Sequence, residues 1–251
     1  MKKFIFLITL SLLSILIIGC KEKKTDEDDD KDPVDENITL EEITKYLDDT
    51  KKAYSRSSNV NIEMNVSLND QNSKIVFMYN LNGFKIDGLK YYFNNNGVVN
   101  ESFIKQNVEY SNYNGEKTQK QLTTELESDI ITKYNFSTIT SSFLSNFDKS
   151  LMNSLIVIED KDNVVKLTWD KENYHFIGVS AESTEFDRYL RISETYKSLE
   201  VSITYENKLV KSLTSTWTDK EGNTKILAIN FKGSDTQVIE YPNDLSLYIQ
   251  R

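Results

Sequence analysis

The chain has 251 residues, 38% hydrophobic and 27% charged, with a formal net charge of −9; it has apolar content enough for a buried core and too much for global disorder. Only 8 glycines and 2 prolines are present, which excludes collagen-like repeats, Gly/Ser linkers and Pro-rich ligands. One cysteine, Cys20, and one histidine, His175, exclude an intramolecular disulfide and any metal or nucleophile chemistry that needs two of either. Turns must then come largely from asparagine, of which there are 24, because it tolerates left-handed backbone next best after glycine.

Lys2 and Lys3 precede fifteen uncharged, mostly apolar residues, 4–18. At about 1.5 Å per residue a helix of that length reaches roughly 22 Å, short of a ~30 Å hydrocarbon core, so the segment reads as a secretory signal in preference to a transmembrane span. Ile17-Ile18-Gly19-Cys20 resembles the bacterial lipobox. The resemblance implies that residues 1–19 are removed, that Cys20 is acylated, and that the protein sits on the extracytoplasmic side of the cell membrane. Two acyl chains anchor stably where one does not. Residues 20–37 follow as the lipidated cysteine and a tether. Positions 21–37 hold nine acids and four lysines and almost nothing apolar, so the segment cannot collapse and is repelled from an anionic surface. Asp26, Asp28 and Asp30 alternate as in a calcium loop, but the turn glycine and terminal glutamate of such a loop are missing, and the run reads as a solvated tail. The remainder carries a net charge of about −6 with no basic block, so no nucleic-acid partner is expected.

A folded domain is predicted over residues 38–251. Thr39 and Glu42 have capping-box spacing, Ile38 and Ile43 occupy staple positions, and Leu40, Ile43, Leu47 and Tyr54 share a face, predicting an amphipathic helix to about Arg56. From Val60 the period falls to two: Val60, Ile62, Met64, Val66 and Leu68 alternate with polar residues, as on a strand wet on one face. Turn signals at Asp70-Gln71-Asn72, Asn82-Gly83, Asn94 to Gly97 and Asn114-Gly115 cut the stretch to residue 122 into an antiparallel meander. Thr124 and Glu127 repeat the capping-box pattern, and Phe143, Leu144, Phe147 and Leu151 recur at helical spacing, a greasy face expected to pack on a sheet. Strands resume at 155–159, 164–170 and 174–179. A helical insertion around Phe186, Tyr189 and Leu190 follows, then strands at 199–205, 209–218 and 224–232, and a last one at 237–241 stopping at Pro242. No linker divides the stretch, so a single α+β body of two antiparallel meanders is expected, with helices before and between them.

This order of lipobox, acidic tether, amphipathic helix, wet-faced meander, helical pair and second meander resembles the LolA-like lipoprotein carrier family, whose members include the LppX and LprG lipoproteins, over about residues 39–248. The string of residues 102–110 and the closing Ile239-Glu240-Tyr241-Pro242 add to the likeness. It implies a strongly curved antiparallel sheet, an incomplete barrel closed by helices on its open side, with acyl chains held in between. It transfers no ligand or catalytic residue, only the lipidated Cys20. LolA itself is a soluble shuttle without a lipid, whereas an anchored chain suits local hand-over.

His175 lies in Tyr174-His175-Phe176 on a predicted strand, a packed or surface position, and no Gly-x-Ser-x-Gly elbow, Walker loop, dinucleotide fingerprint or His-Glu-x-x-His is present. A non-enzymatic protein without cofactor or metal is expected. Met64, Val66, Phe77, Tyr79, Tyr205, Trp217 and Phe231 on the concave face, with Phe143 and Phe147 from the helices, are candidates to line a cavity for a lipid or other hydrophobic molecule. The 14 Tyr, 12 Phe and 2 Trp motivate that reading, although the same rings could simply fill a core. The alternative is a surface-displayed binding or scaffolding module whose outer strand faces, rich in Asn, Ser, Thr and Tyr, engage a protein or glycan.

Overall fold

A computed structural model describes residues 38–169 and 196–250, with Asp70, Phe84 and Asp148 excepted. The predicted strand at 174–179, the helical insertion around Phe186 and the solitary His175 lie outside the described residues. The first meander comprises β1 (Asn59–Leu68), β2 (Gln71–Asn82), β3 (Lys85–Asn95), β4 (Val98–Lys105), β5 (Val108–Tyr113) and β6 (Glu116–Gln121). The second comprises β7 (Leu155–Lys161), β8 (Val164–Trp169), β9 (Tyr196–Glu206), β10 (Leu209–Asp219) and β11 (Thr224–Gly233), and a two-residue β12 (Ile249–Gln250) follows. Two-residue hairpins of the kind that match strand twist need positive φ at both turn positions. Asn96-Gly97, Gln106-Asn107, Asn114-Gly115, Asp162-Asn163 and Asn207-Lys208 all have it. Asparagine thus performs the task that the glycine-poor composition left open.

The meanders join through one antiparallel pairing of β1 with β11, in which Ile62 faces Phe231, Met64 faces Ile229 and Val66 faces Leu227. The sheet order is β12-β6-β5-β4-β3-β2-β1-β11-β10-β9-β8-β7. Among the described residues its twelve strands form one curved, unclosed, mostly antiparallel sheet, with β7 and β12 as edges, in an α+β fold. Every neighbour is antiparallel except β12 on β6.

Helix α1 (Leu40–Arg56) begins as expected: Thr39 Oγ1 accepts from Glu42 N at 3.2 Å, and the Glu42 carboxylate accepts from Thr39 N at 2.9 Å. Its buried stripe, Ile43, Leu47, Thr50 and Tyr54, lies on the sheet, where Thr50 Oγ1 accepts from Val210 N at 2.8 Å. The second cap differs from expectation. Thr123 caps α2 (Thr124–Lys133), accepting from Leu126 N at 3.3 Å, which puts Glu127 one residue too far along for a capping box. The Glu127 carboxylate is buried and accepts from Ile86 N at 2.6 Å, so it ties the helix to the start of β3. The greasy stripe then spreads over three short pieces, α3 (Phe136–Leu144), a 3-10 turn (Ser145–Phe147) and α4 (Lys149–Met152).

The expected strand at 237–241 is absent. That stretch crosses the outer face of β2–β4 as a strap, because its anchors are side chains in place of a ladder. Asn80 Nδ2 donates to Gln237 O at 2.7 Å while Gln237 N donates to Asn80 Oδ1 at 2.8 Å. Tyr241 Oη donates to Ile104 O at 2.9 Å, and its ring meets Phe103 at 6.3 Å. A Cβ at Gly88 would stand 2.9 Å from both Ile239 Cδ1 and the Tyr241 hydroxyl, so the close crossing requires glycine there. Farther on, Lys117 pairs with Asp244 and Tyr248 meets Tyr110 edge-on at 5.5 Å. Phe103 is consequently buried although it faces away from the main core.

Removing the Asn80 amide orphans two backbone groups of the strap. Asn80→Ala should destabilise by about 1–3 kcal/mol in urea unfolding and accelerate hydrogen exchange selectively in residues 237–250; an unchanged midpoint and exchange pattern would contradict the strap's role. Burial also pushes Tyr54, Tyr79 and Tyr248 up to about 12. Unfolded tyrosine ionises near ~10, so this stabilisation is complete below that pH and is lost as pH rises through about 12. Tyrosinate absorbance should therefore show a late class that ionises together with loss of the β-sheet circular dichroism signal, whereas ionisation of all tyrosines in one step on an intact fold would refute it.

Candidate functional site

The two-residue period sends one row of each strand inward: Val60, Ile62 and Met64 from β1, Phe77 and Tyr79 from β2, Leu199, Val201 and Ile203 from β9, Leu213, Ser215 and Trp217 from β10, and Leu227, Ile229 and Phe231 from β11. Burying a large apolar side chain stabilises by about 1.5–3 kcal/mol, so this face and the helices hold each other in place. Tyr54 of α1 meets Phe231 at 5.1 Å, and Phe136 of α3 meets Tyr54 at 5.4 Å and Phe231 at 6.3 Å. Three rings thereby clamp two helices to the junction strand β11, in the tilted and edge-on arrangements aromatic pairs prefer.

Of the nine residues expected to face a hydrophobic ligand, Met64, Phe77, Tyr79, Phe143, Phe147, Trp217 and Phe231 are buried in one apolar cluster, and Val66 and Tyr205 are half-buried against it. Phe77 and Tyr79 meet in a tilted arrangement at 5.3 Å, and Phe143 and Phe147 at 5.8 Å. Tyr205 stands at the margin beside Tyr46, 5.6 Å away. Tyr79 Oη donates to Ser57 O at 3.0 Å, and its burial keeps the phenol protonated well past neutrality. The residues therefore come from both layers and face a shared interior.

Two polar atoms in that interior escaped the residue-type reading. Ser215 Oγ and Trp217 Nε1 are buried, at 0% and 6% residue exposure, and neither has a hydrogen-bond partner. An unmet buried polar group costs about 1–3 kcal/mol, and two on consecutive inward positions of one strand are exceptional. Ser215 was visible in the sequence as a hydroxyl on the inward phase between Leu213 and Trp217; the indole N–H was hidden behind the reading of Trp217 as a wall. Among the described residues no lysine or arginine is buried, and the one buried carboxylate, Glu127, is engaged by Ile86. Lys225, opposite Trp217 in the pairing of β10 with β11, is half-buried.

The outer face carries a different feature. A concavity of about 530 Å³ lies at the turn end of β1–β3, lined among others by Asn65, Ser67, Asn72, Lys74, Asn94 and Ile226. Lys74 pairs with Glu63 at 3.0 Å beside it. The lining is amide-rich, unlike the inner layer.

No family model matches the chain, and no curated protein matches it. Among solved structures it is similar to a chain from Vibrio parahaemolyticus described as an outer membrane lipoprotein-sorting protein domain, with 10% identity and a TM-score of 0.23, over 82% of this chain and 95% of that one. It is also similar to the hypothetical protein CT021 from Chlamydia trachomatis, with 9% identity and a TM-score of 0.22, over 76% of this chain and 96% of that one.

Proposed function

We propose that the protein is a lipid-anchored, non-enzymatic carrier on the extracytoplasmic face of the membrane, which holds a lipid or other hydrophobic molecule between sheet and helices and hands it over locally. The observation that carries the ligand reading is the facing of two aromatic layers: Phe77, Trp217 and Phe231 from the sheet and Phe143 and Phe147 from the helices belong to one apolar cluster in which the sheet is left unclosed. Sites for apolar ligands have linings of this kind with few polar groups. The anchor rests on the run 4–18 and on Cys20 behind Gly19. The amide-rich outer concavity supports a second reading, a displayed module that engages a glycan or a polar protein surface.

Cys20→Ser should release the protein from the membrane fraction or leave it unprocessed, and membrane retention at mature size would contradict the anchor. Native mass spectrometry of the purified, delipidated protein should show uptake of a fluorescent fatty acid. Absence of any bound amphiphile before delipidation, together with no uptake after it, would remove the carrier reading.

A further inference from the structure

We infer that the outer concavity at the turn end of β1–β3 is a binding site for a neutral sugar, a short oligosaccharide whose hydroxyls engage the amides of Asn65 and Asn96. The inference rests on the displayed-module reading above and commits it to one ligand class. It is independent of the carrier reading, because Asn65 and Ser67 alternate on β1 with the inward Met64 and Val66 and so belong to the other face of the sheet.

Two amides that line the concavity are fixed by the protein at one end only. Asn65 Nδ2 donates to Glu63 Oε1 at 3.3 Å; a carboxylate only accepts, so the partner decides which end of the amide faces it and leaves Asn65 Oδ1 as an acceptor. At Asn96 the reverse holds. Its Oδ1 accepts from Asn72 N at 2.9 Å, and because a backbone N–H only donates, the Nδ2 donors remain. Asn94 uses both ends, accepting from Gly97 N at 2.9 Å and donating to Tyr92 Oη at 3.1 Å. It thereby holds the Asn96-Gly97 turn, where φ is 49° and 89°, as a fixed wall. Lys74 stands between Asn65 and Asn94 in the register and pairs with Glu63 at 3.0 Å, so its charge is met while further N–H groups are left to donate.

An acceptor at Asn65 and donors at Asn96 and Lys74 form a mixture that a sugar hydroxyl answers, since it donates and accepts at once. Ile226, opposite Ser67 in the register and 36% exposed, adds an apolar surface for the C–H face of a pyranose. An apolar ligand would strip water from the amides and replace none of its hydrogen bonds. A simple anion would meet an ammonium already paired with a carboxylate. A stable protein partner engages about 20–30 residues a side, whereas ten line this concavity, and its volume of about 530 Å³ falls in the roughly 300–1,000 Å³ range of small-ligand sites. The amides are oriented before a ligand arrives, which lowers the ordering cost of binding.

The test applies the whole chain, extracted in a detergent without a sugar headgroup, to an array that carries neutral oligosaccharides, including maltotriose, cellotriose, chitotriose and mannotriose, beside acidic glycans. The wild type should bind neutral glycans selectively, and the tightest of them should protect residues 65–68, 72–74 and 94–97 from hydrogen exchange. Asn65→Ala, and Asn96→Gly, in which glycine keeps the left-handed backbone, should each weaken that glycan about 3–10-fold, the loss of one hydrogen bond. Ser67→Tyr, which puts a ring into the concavity, should abolish binding, in each case with an unchanged circular dichroism spectrum; where a variant fails to fold, the wild-type exchange map decides alone. Binding of no neutral glycan, preference for acidic ones, protection elsewhere, or affinity indifferent to all three substitutions would overturn the inference. If no glycan binds and Ser67→Tyr instead abolishes capture of a protein on intact cells, the displayed-module reading stands without the sugar; if neither partner is found, that reading falls as well.

Discussion

The pairing of β1 with β11 is the constraint on which the rest of the molecule depends. Apart from the longer connection of β8 to β9, each meander is built from short hairpins whose closure is local, so most of the sheet has a small entropic cost of assembly. The contact of Met64 with Ile229 is the exception, because it closes a loop that contains nearly everything else; the closure term grows only slowly with loop length, which makes such a junction tolerable. Without it the chain would hold two separate sheets with unpaired inner edges, a recognised route to association. With it, α1, which precedes β1, and α2–α4, which lie between β6 and β7, come down on one continuous inner face. The contacts of Tyr54 and Phe136 with Phe231 show this directly, since the ring on the junction strand receives both helical segments.

Buried polar groups divide along functional lines. Thr50, Glu127 and Asn80 each satisfy a backbone group on another element, respectively Val210, Ile86 and Gln237, and each therefore fixes a helix or the strap relative to the sheet. Ser215 Oγ and Trp217 Nε1 fix nothing. That difference separates the polar groups that hold elements together from those that do not.

Much of this architecture is legible in the residues. The capping box at Thr39 and Glu42 set the start of α1, the alternation of Val60, Ile62 and Met64 set the wet and dry faces of β1, and the asparagine clusters marked turns that the structure shows in left-handed backbone. Thr123 replaced Thr124 as the second cap because capping depends on backbone geometry at one residue, which a neighbouring threonine disguises. Ile239 and Tyr241 looked like a strand because they alternate; their true partners are Asn80, Gly88, Phe103 and Ile104, non-local side chains and backbone that no short window contains. The meander joint was invisible for the same reason. The sequence reading faced all nine candidate lining residues inward, and the structure buries seven of them and half-buries Val66 and Tyr205, yet Trp217 was read only for its ring, and the unpartnered indole N–H and Ser215 hydroxyl were missed.

Cross-linking shows whether one sheet runs continuously through β1 and β11 in a fixed register. With Cys20→Ser the chain has no thiol, so cysteines can be placed at will. Asn65 and Ala228 are partners across the joint, where Cα atoms of opposed residues lie within bridging reach, whereas Ile226 is displaced from Asn65 by two positions along the strand. Asn65→Cys with Ala228→Cys should oxidise readily to an intramolecular disulfide, and Asn65→Cys with Ile226→Cys should not. Failure of the first pair, or equal cross-linking by both, would contradict a registered joint and with it the shared inner face.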